Sequence, residues 1–186
     1  MWIGVAENFH LSNLKLSALE KLESRFMGEA GINSYTLQPL AHYGRLFTLE
    51  VFTEAPSAGP EDEDRADGRR MIGALPLEDK PPELVREAAV YGAAEFVRSF
   101  EDKSHAHLFG FYIDEIFRSR GAASMFIKLC ERRLADAYSI ATIDLSVSED
   151  NPRAVSFYLK NGYSRQKTVP DYYGPGRGRL IMVKTL

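Results

Sequence analysis

Asn151-Pro152-Arg153-Ala154-Val155-Ser156-Phe157-Tyr158-Leu159-Lys160-Asn161-Gly162-Tyr163 is the stretch on which the reading of this chain turns. Asparagine is a preferred helix N-cap because its side-chain oxygen accepts a first-turn N–H, and proline at the next position gives up no hydrogen bond. Gly162 supplies the matching stop, so the spacing predicts a helix over Arg153 to Asn161. Just upstream, Thr142 to Ser148 alternates, with Ile143, Leu145 and Val147 on one face and Asp144, Ser146 and Ser148 on the other, the period of a half-buried strand.

Before that strand lies a long amphipathic stretch containing Phe126, Leu129, Cys130 and Leu134, which opens at Arg118-Ser119-Arg120-Gly121-Ala122-Ala123. Small residues there leave backbone N–H groups at a helix N-terminus free to converge on an anion, and Arg118 and Arg120 add positive charge. The apolar run His107 to Ile113 is the strand that feeds this turn. An ordinary helix start packed against a strand accounts for the same six residues, and neither Gly-x-Gly-x-x-Gly nor Gly-Lys-Ser/Thr is present.

Taken in order, two motifs resemble the GNAT acetyltransferase superfamily. Arg118-x-x-Gly121-x-Ala123 resembles its pyrophosphate-binding turn, Gln/Arg-x-x-Gly-x-Gly/Ala. Asn151 to Tyr163 resembles its signature Asn-x-x-Ala-x-x-x-Tyr-x-x-x-Gly-Phe, with Tyr163 in place of the final Phe. The resemblance runs from His105 to the C-terminus and implies an α/β fold. Its centre is a strongly twisted, mostly antiparallel sheet of about six or seven strands with flanking helices. A splayed parallel pair, His107 to Ile113 and Thr142 to Ser148, marks where the family holds its cofactor.

By the same resemblance, acetyl-CoA is held by strand-end backbone groups at Phe111, Tyr112 and Ile113 and by the turn Arg118, Ser119, Arg120, Gly121, Ala122, Ala123 and Ser124. Asn151 and Tyr158 then lie nearer the pantetheine and thioester. Attack of a neutral amine on a thioester needs a proton acceptor for the ammonium, oxyanion stabilisation and an acid for the departing thiolate. Tyr158 occupies the family's acid position; a core aromatic beside Val155, Phe157 and Leu159 is the other reading. His107, eleven residues before Arg118, stands where one class of histone acetyltransferases carries its glutamate base and arylalkylamine acetyltransferases a histidine. With His105 two residues away, an exposed histidine pair is the alternative, and Asp144 and Glu115 remain as carboxylate candidates.

Tyr172 and Tyr173 resemble the tyrosine pair of the ribosomal-protein alanine N-acetyltransferases, but Ser146 stands where those enzymes have a glutamate base, and a serine cannot replace it. The Gly/Pro-rich segment Asp171 to Arg179 borders the acceptor pocket or simply turns the chain before a last strand, Leu180 to Lys184. The function implied is acetyl-CoA-dependent acetylation, by direct attack, of a primary amine on a peptide or protein N-terminus or a small metabolite. A non-catalytic acyl-CoA-binding regulatory module and an enzyme using a longer acyl-CoA are the rivals. No metal site is expected.

The composition agrees with this. The chain has 186 residues, 45% of them hydrophobic, enough for a single acetyltransferase domain over residues 1–186 with a sizeable core. A net charge of −3 suggests neither a nucleic-acid nor an anionic-membrane surface and suits cationic amines. The one cysteine, Cys130, excludes an internal disulfide and reads as core. No basic region precedes an apolar stretch at the N-terminus and no apolar run is long enough to span a bilayer, so a soluble cytoplasmic protein is expected, with a homodimer left open.

In the N-terminal half, Leu11 to Met27 has helical spacing, while Tyr35 to Tyr43 is ambiguous because of Pro39. Arg45 to Thr53 and Met71 to Leu77 read as strands. The acidic connection Glu54 to Arg70 reads as solvated, or as a docking surface for a basic substrate. Glu83 to Phe100 reads as a helix opened by Pro81 and Pro82.

Overall fold

The computed structural model describes residues 1–27, 33–56, 68–77, 90–117 and 120–186. In chain order the elements are β1 (Trp2–Asn8), α1 (Asn13–Met27), α2 (Ser34–Tyr43), β2 (Arg45–Phe52), β3 (Arg69–Pro76), β4 (Val90–Arg98), β5 (His105–Ile113), α3 (Ala122–Tyr138), β6 (Thr142–Val147), α4 (Pro152–Lys160), β7 (Ser164–Val169) and β8 (Arg179–Thr185), with a 3-10 turn at Glu115–Phe117. Among the described residues, eight strands are hydrogen-bonded in the order β3-β1-β2-β4-β5-β6-β8-β7. The fold is thus the expected α/β arrangement, mostly antiparallel with β5 and β6 as a parallel pair, and its sheet exceeds the expected six or seven strands. The parallel ladder runs from His105↔Thr142 to Leu108↔Leu145 and stops there, although β6 continues to Val147.

Two compact units divide the chain, Met1–Phe96 with Gly110–Cys130 and Val97–Phe109 with Glu131–Leu186. In the first, β1 pairs antiparallel with both β2 and β3. Nothing in the sequence reading anticipated β1, because its end carries Glu7 and Asn8, both fully buried. Burial of such groups is tolerable only with partners, and they have them. Arg45 Nε lies 3.4 Å from Glu7 Oε1. Lys15 Nζ donates to Asn8 Oδ1 at 2.9 Å and to the buried Glu50 at 2.8 Å, and Arg69 donates to the other oxygen of Glu50.

Helices α1 and α2 pack Leu19, Leu22, Leu37 and Ala41 against Leu46 and Ala93 of the sheet, each large aliphatic side chain contributing ~1.5–3 kcal/mol on full burial. Pro39 does sit inside α2. Its ring costs that helix one hydrogen bond, and Asn33, whose side chain accepts from Tyr35 N, and Gly44, whose N–H reaches Leu40 O, secure the two ends.

The helix expected over Glu83 to Phe100 is corrected: Val90–Arg98 is strand β4, and residues 83–89 lie outside the described residues. The physical reason is burial on both faces. Residues 92–96 of β4 are all buried, so the alternation that marks a half-exposed strand is lost and an Ala-rich run imitates a helix. Gly92 is needed there because a Cβ would stand 2.8 Å from Tyr112 O. The central part of the acidic connection, residues 57–67, also lies outside the described residues.

In the second unit β8 lies between β6 and β7, antiparallel to both. Helix α4 begins as its caps require, with Asn151 Oδ1 accepting from Ala154 N at 3.1 Å and Pro152 in the first turn. It ends at Gly162, whose φ of +90° is the left-handed conformation that glycine tolerates. Edge strand β7 is exposed over residues 164–168, and its pairing with β8 shifts register between Arg165 and Lys167. Among the described residues no helix is long and apolar enough to cross a membrane.

Candidate active site

Parallel pairing brings His107 opposite Asp144, with His105 two residues back on the same face of β5. Asp144 Oδ1 is 2.9 Å from His107 Nδ1 and 3.1 Å from His105 Nε2. The three side chains are partly covered, with exposures of 24%, 24% and 33% for His107, Asp144 and His105. Burial alone would raise the Asp144 carboxyl; hydrogen bonds and charge from His107, then His105, outweigh it and hold that carboxyl below the ordinary carboxylate range. The alternating Ala106, Leu108, Ile143 and Leu145 are buried on the opposite face, which is what turns the polar set outward.

One pleat further along β6, Ser146 Oγ is 3.3 Å from Tyr173 Oη. Tyr173 also meets Tyr172 edge-on and stacks under the Arg179 guanidinium, 4.8 Å from its ring centroid. The connection from β7 to β8 is folded by Asp171, at φ +55°, whose carboxylate accepts from Gly176 N at 2.6 Å. Two half-exposed tyrosines are thereby presented beside the serine.

Tyr158 is buried on α4, edge-to-face with Phe157 and Tyr163. Burial pushes its phenol above the usual range, so it stays protonated and keeps a proton to give. Asn151 spends its side-chain oxygen on the α4 cap, which leaves the carboxamide N–H groups as its remaining donors.

In the first unit, Gly121 precedes α3 at φ +73°, and a Cβ built on it would meet nothing within 4 Å. Its carbonyl accepts from Met125 N at 3.0 Å, so the N–H groups of Ala122, Ala123 and Ser124 are those that a helix start leaves without a helical carbonyl. The first turn of α3 carries no acid, and Arg120 beside it is exposed. Arg118 and Ser119 lie outside the described residues. At the end of β5, Phe111 packs on Phe126 and Tyr112 stacks on Phe26; Ile113 follows, half-buried. Glu115, one carboxylate candidate, is exposed on the 3-10 turn. Cys130 is fully buried, as its place in the apolar stretch suggested.

Two relationships escaped sequence reasoning: the histidine-carboxylate contact and the Ser146–Tyr173 pair. The alternation of His105 and His107 on one strand and of Asp144 and Ser146 on the next was visible as a signal, but the register that joins them was not.

Comparison with known proteins finds a match between residues 46–163 and the model of the acetyltransferase (GNAT) family. An N-alpha-acetyltransferase 20 from Dictyostelium discoideum is 32% identical over 82 residues, 44% of this chain and 47% of that protein. The matched stretch is thus about half the length of the curated relative. Among solved structures, the ribosomal-protein-S18-alanine N-acetyltransferase from Escherichia coli superposes with a TM-score of 0.61 at 17% identity, covering 100% of this chain and 94% of that one. The NatC complex bound to Gag peptide and CoA gives a TM-score of 0.65 at 11% identity, covering 98% and 99%. These two likenesses are likenesses of fold.

Proposed function

The chain belongs to the acetyltransferase (GNAT) family, and from that premise we propose that it transfers an acetyl group from acetyl-CoA to a primary amine, with a peptide or protein N-terminus the favoured acceptor. The name of the Dictyostelium relative, an Nα-acetyltransferase, supports that preference over a small metabolite. We read residues 1–186 as one acetyltransferase domain, since the family match passes from the first unit into the second.

The start of α3 carries the reading. Gly121 is bare and left-handed with open space where a side chain would stand, and no first-turn acid opposes an anion, so the residues present fit a pyrophosphate. Ser119, Arg120, Ala122, Ala123 and Ser124, with Arg118, would hold it, and backbone groups of Phe111, Tyr112 and Ile113 the pantetheine arm. Asn151 would add a side-chain donor. Acetyl-CoA supplies a thioester whose acetyl carbon bonds to the amine nitrogen as its bond to sulfur breaks. His107, through the imidazole nitrogen not facing Asp144, accepts the proton the amine gives up, directly or through water. Tyr158, kept protonated by its burial, returns a proton to the sulfur.

An acceptor panel of N-terminal peptides, amino acids, polyamines and aminoglycosides, assayed by release of free CoA thiol, tests this. Steady release with peptides is expected. Cofactor binding without release across the whole panel would favour a non-catalytic acyl-CoA-binding module, and a titration with several acyl chain lengths separates an enzyme for longer acyl groups. A cytoplasmic location completes the proposal.

A further inference from the structure

Asp144 Oδ1 faces two imidazoles, and its hydrogen bond with His107 has a chemical consequence for the ring nitrogen left over. A carboxylate held in its ionised form can only accept hydrogen bonds. The 2.9 Å contact between Asp144 Oδ1 and His107 Nδ1 therefore requires a proton on Nδ1, and a neutral imidazole protonated there has its lone pair on Nε2. His105 Nε2 lies 3.1 Å from the same oxygen and adds a second imidazole beside the carboxylate. We propose that Asp144 is a positioning residue that fixes His107 in its Nδ1–H tautomer and holds the ring so that Nε2 is the proton acceptor, with His105 lying against the same carboxylate oxygen. The inference rests on the acetyltransferase reading and on His107 as base.

The arrangement follows from the sheet and not from loop placement. His107 and Asp144 are register partners in the parallel ladder, His105 lies one pleat earlier on the same face, and the alternate residues are buried beneath them. Side chains rooted in two hydrogen-bonded strands have little freedom to swing apart. Orientation by a second group that does not touch substrate is a general means of setting which imidazole nitrogen is basic. Both imidazoles are only partly covered, which leaves a route for a proton to leave His107 Nε2.

Nitrogen-15 NMR of the imidazole rings at about pH 8, where an ordinary histidine is neutral, reads the tautomer directly in the full chain. The wild type is expected to show His107 protonated at Nδ1. In Asp144→Asn the carboxamide can donate to His107 Nδ1, which moves the His107 proton to Nε2; kcat is expected to fall ~10-fold or more while the KM for acetyl-CoA and its affinity are kept. Asp144→Glu, which restores an acceptor, is expected to recover the Nδ1–H signal in part. A wild-type His107 protonated at Nε2 would overturn the proposal without any variant having to fold. So would an Asp144→Asn protein with the wild-type tautomer and kcat. Failure of the underlying reading looks different: full turnover in His107→Gln removes the base while the tautomer signals stay as assigned.

Discussion

The carboxyl group of Glu95 lies across the α-carbon of Gly110, so close that a Cβ at that position would overlap Oε2 and stand 3.0 Å from Cδ. Glu95 is almost completely buried, so its side chain cannot swing into solvent to make room. Gly110→Ala is expected to lower the unfolding free energy by ~1–3 kcal/mol, the usual cost of overpacking a core. Chemical denaturation checks it, and the double change with Glu95→Ala should recover part of the loss. Equal stability of wild type and Gly110→Ala would mean that the carboxyl moves freely.

The same carboxyl makes stability depend on pH. Burial, followed by the charge of Glu23 and a hydrogen bond with it, pushes Glu95 up to about 9. A folded-state value above the unfolded one means that the native protein holds a proton that the unfolded chain has released, so stability falls as pH rises from the ordinary glutamate range to about 9. The slope is at most ~1.4 kcal/mol per pH unit for one proton. Glu95→Gln, neutral at every pH, should flatten the Tm profile over that window; an unchanged slope would assign the proton elsewhere.

Gly121→Asp separates binding from folding. Its position is open, and aspartate tolerates left-handed backbone better than most residues. The variant is expected to fold and to bind acetyl-CoA about tenfold more weakly, ~1.4 kcal/mol, because it sets an anion at the start of α3. Titration calorimetry giving wild-type affinity would remove the phosphate from this turn.

Tyr158→Phe deletes one hydroxyl and keeps the ring contacts with Phe157 and Tyr163. Turnover is expected to drop ~10²-fold with Tm and acetyl-CoA affinity held, the signature of an acid acting in the transition state. Full kcat would leave Tyr158 as packing alone.

His107→Gln should abolish the acidic limb of kcat/KM measured against pH with a single acceptor, and leave acetyl-CoA affinity intact. The amine's own ionisation adds a rise at higher pH in both proteins, so the comparison lies in the difference between the two profiles. Identical profiles would exclude His107.

Most of the C-terminal half is legible in the sequence, because capped helices and alternating strands write their boundaries locally. Asn151, Pro152 and Gly162 do so for α4, and Ile143, Leu145 and Val147 for β6. The failures share one cause, which is that tertiary burial overrides a local pattern. β4 is buried on both faces and loses the period that identifies a strand. β1 ends in charged and polar residues that read as surface until Arg45, Lys15 and Thr48 are brought to them. From the sequence Asp144 is one carboxylate among others, but its contact with His107 spans 37 residues of sequence and depends on which registers two parallel strands adopt.

Strand β7 ends one margin of the sheet, and such a margin is a template on which another polypeptide can lay down its own backbone. Here that template is spoiled twice. Arg165 and Lys167 load it with like charge, and the break in its spacing between them denies an incoming strand a regular ladder. Protection of this edge against strand pairing is therefore written into a segment that holds none of the proposed catalytic groups, so the edge and the chemistry can change independently of each other.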